Sequence, residues 1–154
     1  MKKITFLIAF LSVAFFANAQ SNNEEVDFYQ SIFGMEKKAV VADFLNLEAS
    51  NPFWALYDAY EAERKVLGKD RIQTLAFYAN NYDKMDDAKN DEIIKSMISL
   101  RKANDKVIDK YYKKIKKVSG SKVAAQFFQL EAYLLSEIRT SIMEEIPFIG
   151  TFDK

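Results

Sequence analysis

Glu131 stands on a helical face whose other members are Phe127, Leu130, Leu134, Ile138 and Ile142. A carboxylate there could serve as a general acid or base, or as half of an ion pair. Acid–base chemistry needs a companion group, and the spacing puts no second acid, metal ligand or nucleophile beside it. Ion pairing needs a cation, and two are offered. Arg64 and Arg71 interrupt the run Phe53, Tyr57, Tyr60, Leu67, Leu75, Tyr78 and Tyr82, which otherwise keeps steps of three and four. A cation in a packed seam must be neutralised. The expectation is a part-buried pair between Glu131 and Arg64 or Arg71 that sets helix register, so these three residues read as structural.

The rest of the composition removes most enzyme classes. Among 154 residues there is no His and no Cys, so hydrolase triads, thiol nucleophiles and the usual zinc sites drop out. Di-iron bundles lose their Glu-x-x-His ligands. Gly34, Gly68, Gly120 and Gly150 are isolated from one another, which leaves no phosphate-cradling loop. The acidic stretch DKMDDAKNDE (83–92) lacks the glycine and ligand order of a calcium loop and reads as a helix cap. No catalytic residue, metal site or cofactor is expected. The 22 basic and 22 acidic residues lack the basic excess that nucleic acid would favour.

Two clusters remain that could form surface. KYYKKIKK (110–117) carries five lysines around two tyrosines. Tyr111, Tyr112, Lys113, Lys116 and Lys117 are the candidate client-binding residues. The competing reading is a solvated helix end whose lysines complement the helix dipole. NPFWALYDAYEAER (51–64) is the other cluster. Phe53, Tyr57 and Tyr60 share one face with Trp54 beside them, and an aromatic stripe at that spacing reads as core with its hydroxyls at a polar rim.

The elements that must position these residues are helices. Only four glycines and two prolines occur, and no period-two alternation is present. Four amphipathic helices are expected, over about 25–47, 51–82, 87–117 and 120–146. The first carries Val26, Phe28, Tyr29, Ile32, Phe33, Val40, Val41, Phe44 and Leu45, with Gly34 its weak point. Ser50 or Asn51 caps the second, Pro52 suits its first turn, and Gly68 is a site for a bend. The third starts at Asp86 or Asp87 and carries Met97, Leu100, Val107, Ile108, Tyr111, Ile115 and Val118. Ser119-Gly120-Ser121 breaks the chain before the fourth, and Pro147 ends it. The fold expected is a single all-α domain over 20–154, a hairpin-like or bundled arrangement of these helices.

Residues 1–19 are expected to lie outside that domain. MKKITFLIAFLSVAFFANA has two lysines, an apolar run over Ile4–Phe16 and the small-x-small site Ala17-Asn18-Ala19, the pattern of a cleaved signal peptide. The run is too short for a stable membrane span, and no cysteine follows it to carry a lipid. The destination is then periplasmic or secreted. Without Lys2 and Lys3 the remaining chain has a net charge of about −2.

Two segments resemble each other and a known family. FLNLEASNPFWALYDAYEAE (44–63) and KVSGSKVAAQFFQLEAYLLSE (117–137) each have a polar capping stretch, an aromatic pair and a glutamate-bearing helix. Behind a signal peptide, in a Cys-free helical chain, this resembles the periplasmic Spy/CpxP group with its LTxxQ motifs. FWALYDAY (53–60) is similar to the FWxxYxxY helix of many bacterial relatives. At the LTxxQ positions the chain has Leu45-Asn46 or Leu47-Glu48, and Val118-Ser119 followed by Lys122. The resemblance implies a curved helical homodimer that holds unfolded or stressed envelope proteins without ATP. The alternative it implies is an adaptor that docks one envelope-stress signalling partner.

Overall fold

A computed structural model describes the backbone of residues 23–150 and the side chains of 33–150. The expected signal peptide (1–19) and the side chains of Val26, Phe28, Tyr29 and Ile32 lie outside the described residues. Within them the chain is all helical, with no strand. α1 spans Asn23–Leu45, α2 spans Phe53–Asn81, a 3₁₀ turn covers Tyr82–Lys84, and α3 spans Asp87–Glu145. No described helix is long and apolar enough to cross a membrane.

Three helices are therefore present where four are expected, because the last two form one element. That element is not straight. Gly120 breaks the helical backbone at φ 86° and ψ 168°, a region essentially reserved for glycine. Tyr112 and Phe128 flank it by eight residues each, and their rings meet at 5.8 Å. Sixteen residues of uninterrupted helix would separate them by about 24 Å. The chain therefore folds back at Gly120, and α3 is a hairpin of two arms, 87–119 and 121–145.

Local chemistry sets the remaining ends. α1 stops at Leu45 because Asn46 adopts the left-handed conformation at φ 48°, where its amide bonds to the Ala42 carbonyl. Before α2, the Asn51 side chain accepts from the Phe53 amide at 2.9 Å and from the Ser119 hydroxyl at 2.9 Å. One asparagine thus caps a helix and ties it to the hairpin bend. Asp86 accepts from the Lys89 amide at 2.9 Å and opens α3. Gly68 does not interrupt α2. Gly34 does not interrupt α1, and a Cβ there would sit 3.9 Å from Glu61 Oε2 on α2.

The main core gathers Val41 and Leu45 of α1, Phe53, Tyr57 and Tyr60 of α2, and both arms of α3. Tyr60 is its hub, with the Tyr111 ring at 5.6 Å and the Phe127 ring at 5.1 Å, both edge-on. One tyrosine thereby clamps the two arms, an arrangement favoured by the ring quadrupoles. The expected aromatic stripe is core: Phe53, Tyr57 and Tyr60 are buried, and Trp54 is half-buried against Phe53 at 5.0 Å. At the other end of the bundle, Tyr78 donates to the Pro147 carbonyl at 2.7 Å and holds the segment after α3.

Candidate functional site

Beneath α1 lies a charge cluster whose anchor is Lys37. Phe33, Lys37, Val41 and Leu45 are four residues apart, so all four face inward. Lys37 Nζ donates to Glu131 Oε2 and Glu61 Oε1, both at 2.6 Å. The Tyr60 hydroxyl donates to Glu131 Oε2 at 2.6 Å, and Arg64 Nε donates to Glu61 Oε2 at 3.0 Å. Two cations and two carboxylates balance. Burial pushes the Glu61 carboxyl up, but Lys37 and Arg64 outweigh it and leave it below its ordinary range. Burial and the two glutamates push the Tyr57 and Tyr60 hydroxyls well up. The Tyr57 hydroxyl and Glu131 Oε1 have no hydrogen-bond partner among the described residues.

This cluster corrects the expected pairing. Glu131 is bonded to Lys37, not to Arg64 or Arg71. Arg64 is captured by Glu61 one turn earlier on its own helix, and Arg71 lies two turns further from the glutamates. Lys37 was legible only as the polar member of an otherwise apolar i, i+4 row. Lys37 and Glu131 are each 1% exposed, so no substrate reaches their carboxylate and ammonium in this fold. The arrangement locks α1 onto α2 and α3.

The lysine–tyrosine stretch divides between core and surface. Tyr111 is 2% exposed and belongs to the core, so it does not share a client surface with its neighbours. Its hydroxyl donates to Glu63 at 2.8 Å, and burial together with that carboxylate pushes it up to about 12. Hydrogen bonds from Lys110 and Tyr111 hold Glu63 below its ordinary range. Tyr112 is half-buried against Phe128, with Lys116 Nζ 6.0 Å from its ring. Lys113, Lys116 and Lys117 are exposed, and Lys113 pairs with Asp109 at 2.6 Å.

A different surface opens at the far end of the bundle. α2, both arms of α3 and the segment after α3 enclose an apolar groove of about 610 Å³. Its rim carries Ile94, Met97, Ile98, Met143, Phe148 and Ile149, all exposed, Met97 at 46% and Phe148 at 66%. Arg71, Arg101 and Arg139 also line it, and no acidic residue does. Burial, then the Arg64 and Arg139 charges, push the Arg71 guanidinium down to about 10. Among the described residues no carboxylate pairs with it. Among the same residues no group of three or more Asp or Glu side chains is placed to hold a metal ion.

No protein-family model, curated protein or solved structure matches this chain. The groove's constituents were only partly legible. Met97, Leu100, Leu75 and Ile142 read as core by spacing. At this end the helices leave the groove between them, and Met97 stays open to solvent.

Proposed function

We propose that this chain is an exported, non-catalytic protein-binding domain, acting as an ATP-independent chaperone of the Spy/CpxP kind. The observation that carries the reading is the rim of six exposed large apolar side chains around the groove. A contiguous apolar patch of that kind marks an interaction surface. Two of the six are methionines, whose flexible thioether chains adapt to varied partners. Weak side-chain contacts of this type suit holding partly unfolded chains without chemistry. The sealed state of the Lys37–Glu131 cluster supports a scaffold role for the buried charges. The resemblance of 44–63 and 117–137 to Spy/CpxP sequences supports the same reading, and a signal peptide would place the work in the periplasm or outside the cell.

The test is light scattering from two unrelated aggregating proteins, with the purified chain added at stoichiometric ratios. Suppression of both, weakened by Met97→Lys with Phe148→Lys, is the expected result. Equal suppression by that double variant would move the client surface to Lys113, Lys116 and Lys117. No effect on either client would end the chaperone reading and favour an adaptor for one signalling partner.

A further inference from the structure

The groove has an internal polarity that the rim alone does not explain. By their places along α2 and the two arms of α3, the half-buried Arg71 and the exposed Arg101 and Arg139 stand at its inner end. Tyr78, Ile93, Ile146 and Ile149 stand at its outer end. Along α2, from Arg71 to Tyr78, this is about 10 Å of helix. One end is cationic and the rest is apolar.

The hydrogen-bonding capacity of the lining decides what kind of chain fits. Besides the arginines, the polar side chains are Thr74 and Tyr78. Thr74 Oγ1 already donates to the Asp70 carbonyl at 2.9 Å, and the Tyr78 hydroxyl to Pro147 at 2.7 Å. An extended peptide laid in the groove would bring an amide and a carbonyl per residue, and beyond the arginines at one end only the lone pairs of two hydroxyls could receive them. Each such unpaired group is costly away from water. A hydrocarbon tail carries no such groups. A single carboxylate at the inner end would meet the arginines, and Arg71 has no carboxylate partner among the described residues. The volume lies within the range of small-molecule sites.

We infer that the groove is a binding site for a fatty acid, with its carboxylate at Arg71, Arg101 and Arg139 and its tail toward Tyr78 and Ile146. This goes beyond the chaperone reading and does not rest on it, since the client surface is the rim and the fatty acid occupies the floor.

The test is isothermal titration of the purified full chain with dodecanoate, below its micellar concentration. Dodecan-1-ol and acetate serve as single-feature controls. Dodecanoate should bind saturably at one per chain and raise the melting temperature. The alcohol, which keeps the tail and lacks the charge, should bind at least tenfold more weakly, and acetate not measurably. Arg71→Met and Arg139→Gln should each weaken dodecanoate at least tenfold, while Lys113→Gln leaves it unchanged. Melting curves of each variant show that it is folded, so a lost affinity is a lost contact. No saturable binding to the wild type overturns the assignment. So does equal affinity for acid and alcohol, or undiminished binding to Arg71→Met. A self-associated chain that excludes dodecanoate would assign the groove to a second copy instead. None of these results bears on aggregation suppression, which is read separately.

Discussion

Lys37 and Glu131 lie 94 residues apart in the chain and 2.6 Å apart in the fold, and water reaches neither. Their contact is the link that fastens α1 to the outgoing arm of α3, with Tyr60 and Glu61 of α2 completing the joint. Burying two charges costs much of what their attraction returns, so the intact pair adds little net stability. Losing one partner is another matter. The survivor is then a buried, uncompensated charge.

Lys37→Met should therefore lower unfolding stability by about 3–5 kcal/mol, and Glu131→Gln by an amount of the same order. The double variant Lys37→Met with Glu131→Gln should cost less than the two single losses together, because no orphaned charge remains at that contact. Denaturant unfolding of the four proteins measures this coupling. Single variants within about 0.5 kcal/mol of wild type, the range of ordinary surface changes, would show that the contact does not form.

Glu61 gives the cluster a pH signature. Burial raises its carboxyl, the neighbouring Lys37 and Arg64 lower it further, and it ends below its ordinary 4.5. The folded chain thus holds this proton more weakly than the unfolded one. Its contribution to stability is complete above about pH 5 and fades as acid passes through 4.5 toward the lower folded value. The stability gap between wild type and Glu61→Gln should therefore shrink between about pH 6 and pH 3. A gap that stays constant over that window would contradict the ion pairing.

How much of this was legible in the sequence depends on what each residue needs from the rest of the chain. Helical spacing placed Phe53, Tyr57, Tyr60, Ile108, Ile115, Phe127 and Leu134 inside, and they are buried. Capping chemistry narrowed the helix starts to Ser50 or Asn51 and to Asp86 or Asp87, because a cap acts within three residues, and Asn51 and Asp86 take the part. Glu131 was recognisable as a buried charge because its own face is apolar. Its partner was not, since pairing across 94 residues depends on how α1 docks, and spacing along one helix carries no such information. Arg64 looked available until Glu61, one turn away, took its Nε. Tyr111 had two readings, on the apolar face with Ile108 and Ile115 by spacing and on a surface patch by the composition of KYYKKIKK; the structure follows the spacing, sends Tyr111 to Tyr60 and leaves the lysines in solvent. The groove is a property of how α2 and the two arms of α3 end together, and no single segment announces it.

Gly120 is the residue that converts a long α3 into a hairpin. Its φ of 86° and ψ of 168° lie where a Cβ is strained, although a Cβ built there meets nothing within 4 Å. The cost of Gly120→Ala is then backbone strain alone, about 1–3 kcal/mol. Thermal unfolding should show that loss, with helical content preserved by circular dichroism. An unchanged melting temperature would mean that the bend tolerates an alternative backbone geometry.

Among the described residues, no carboxylate neutralises Arg71. Burial comes first and the charges of Arg64 and Arg139 follow, and together they bring it down to about 10. The sign is that of a base depressed by folding. The folded chain binds the proton less well than the unfolded one, so the charge opposes folding at neutral pH and relents only above about pH 10. Arg71→Met keeps an apolar stem along the groove and removes the charge. It should raise stability by about 1 kcal/mol, a melting shift of a few degrees. Calorimetry at pH 7 measures it. A stabilised variant would mark Arg71 as a residue held at a cost to the fold, the pattern expected where a side chain serves binding instead of packing. A destabilised one would mean that a carboxylate neutralises the guanidinium in the folded protein, and the inner end of the groove would lose its claim on an anionic ligand.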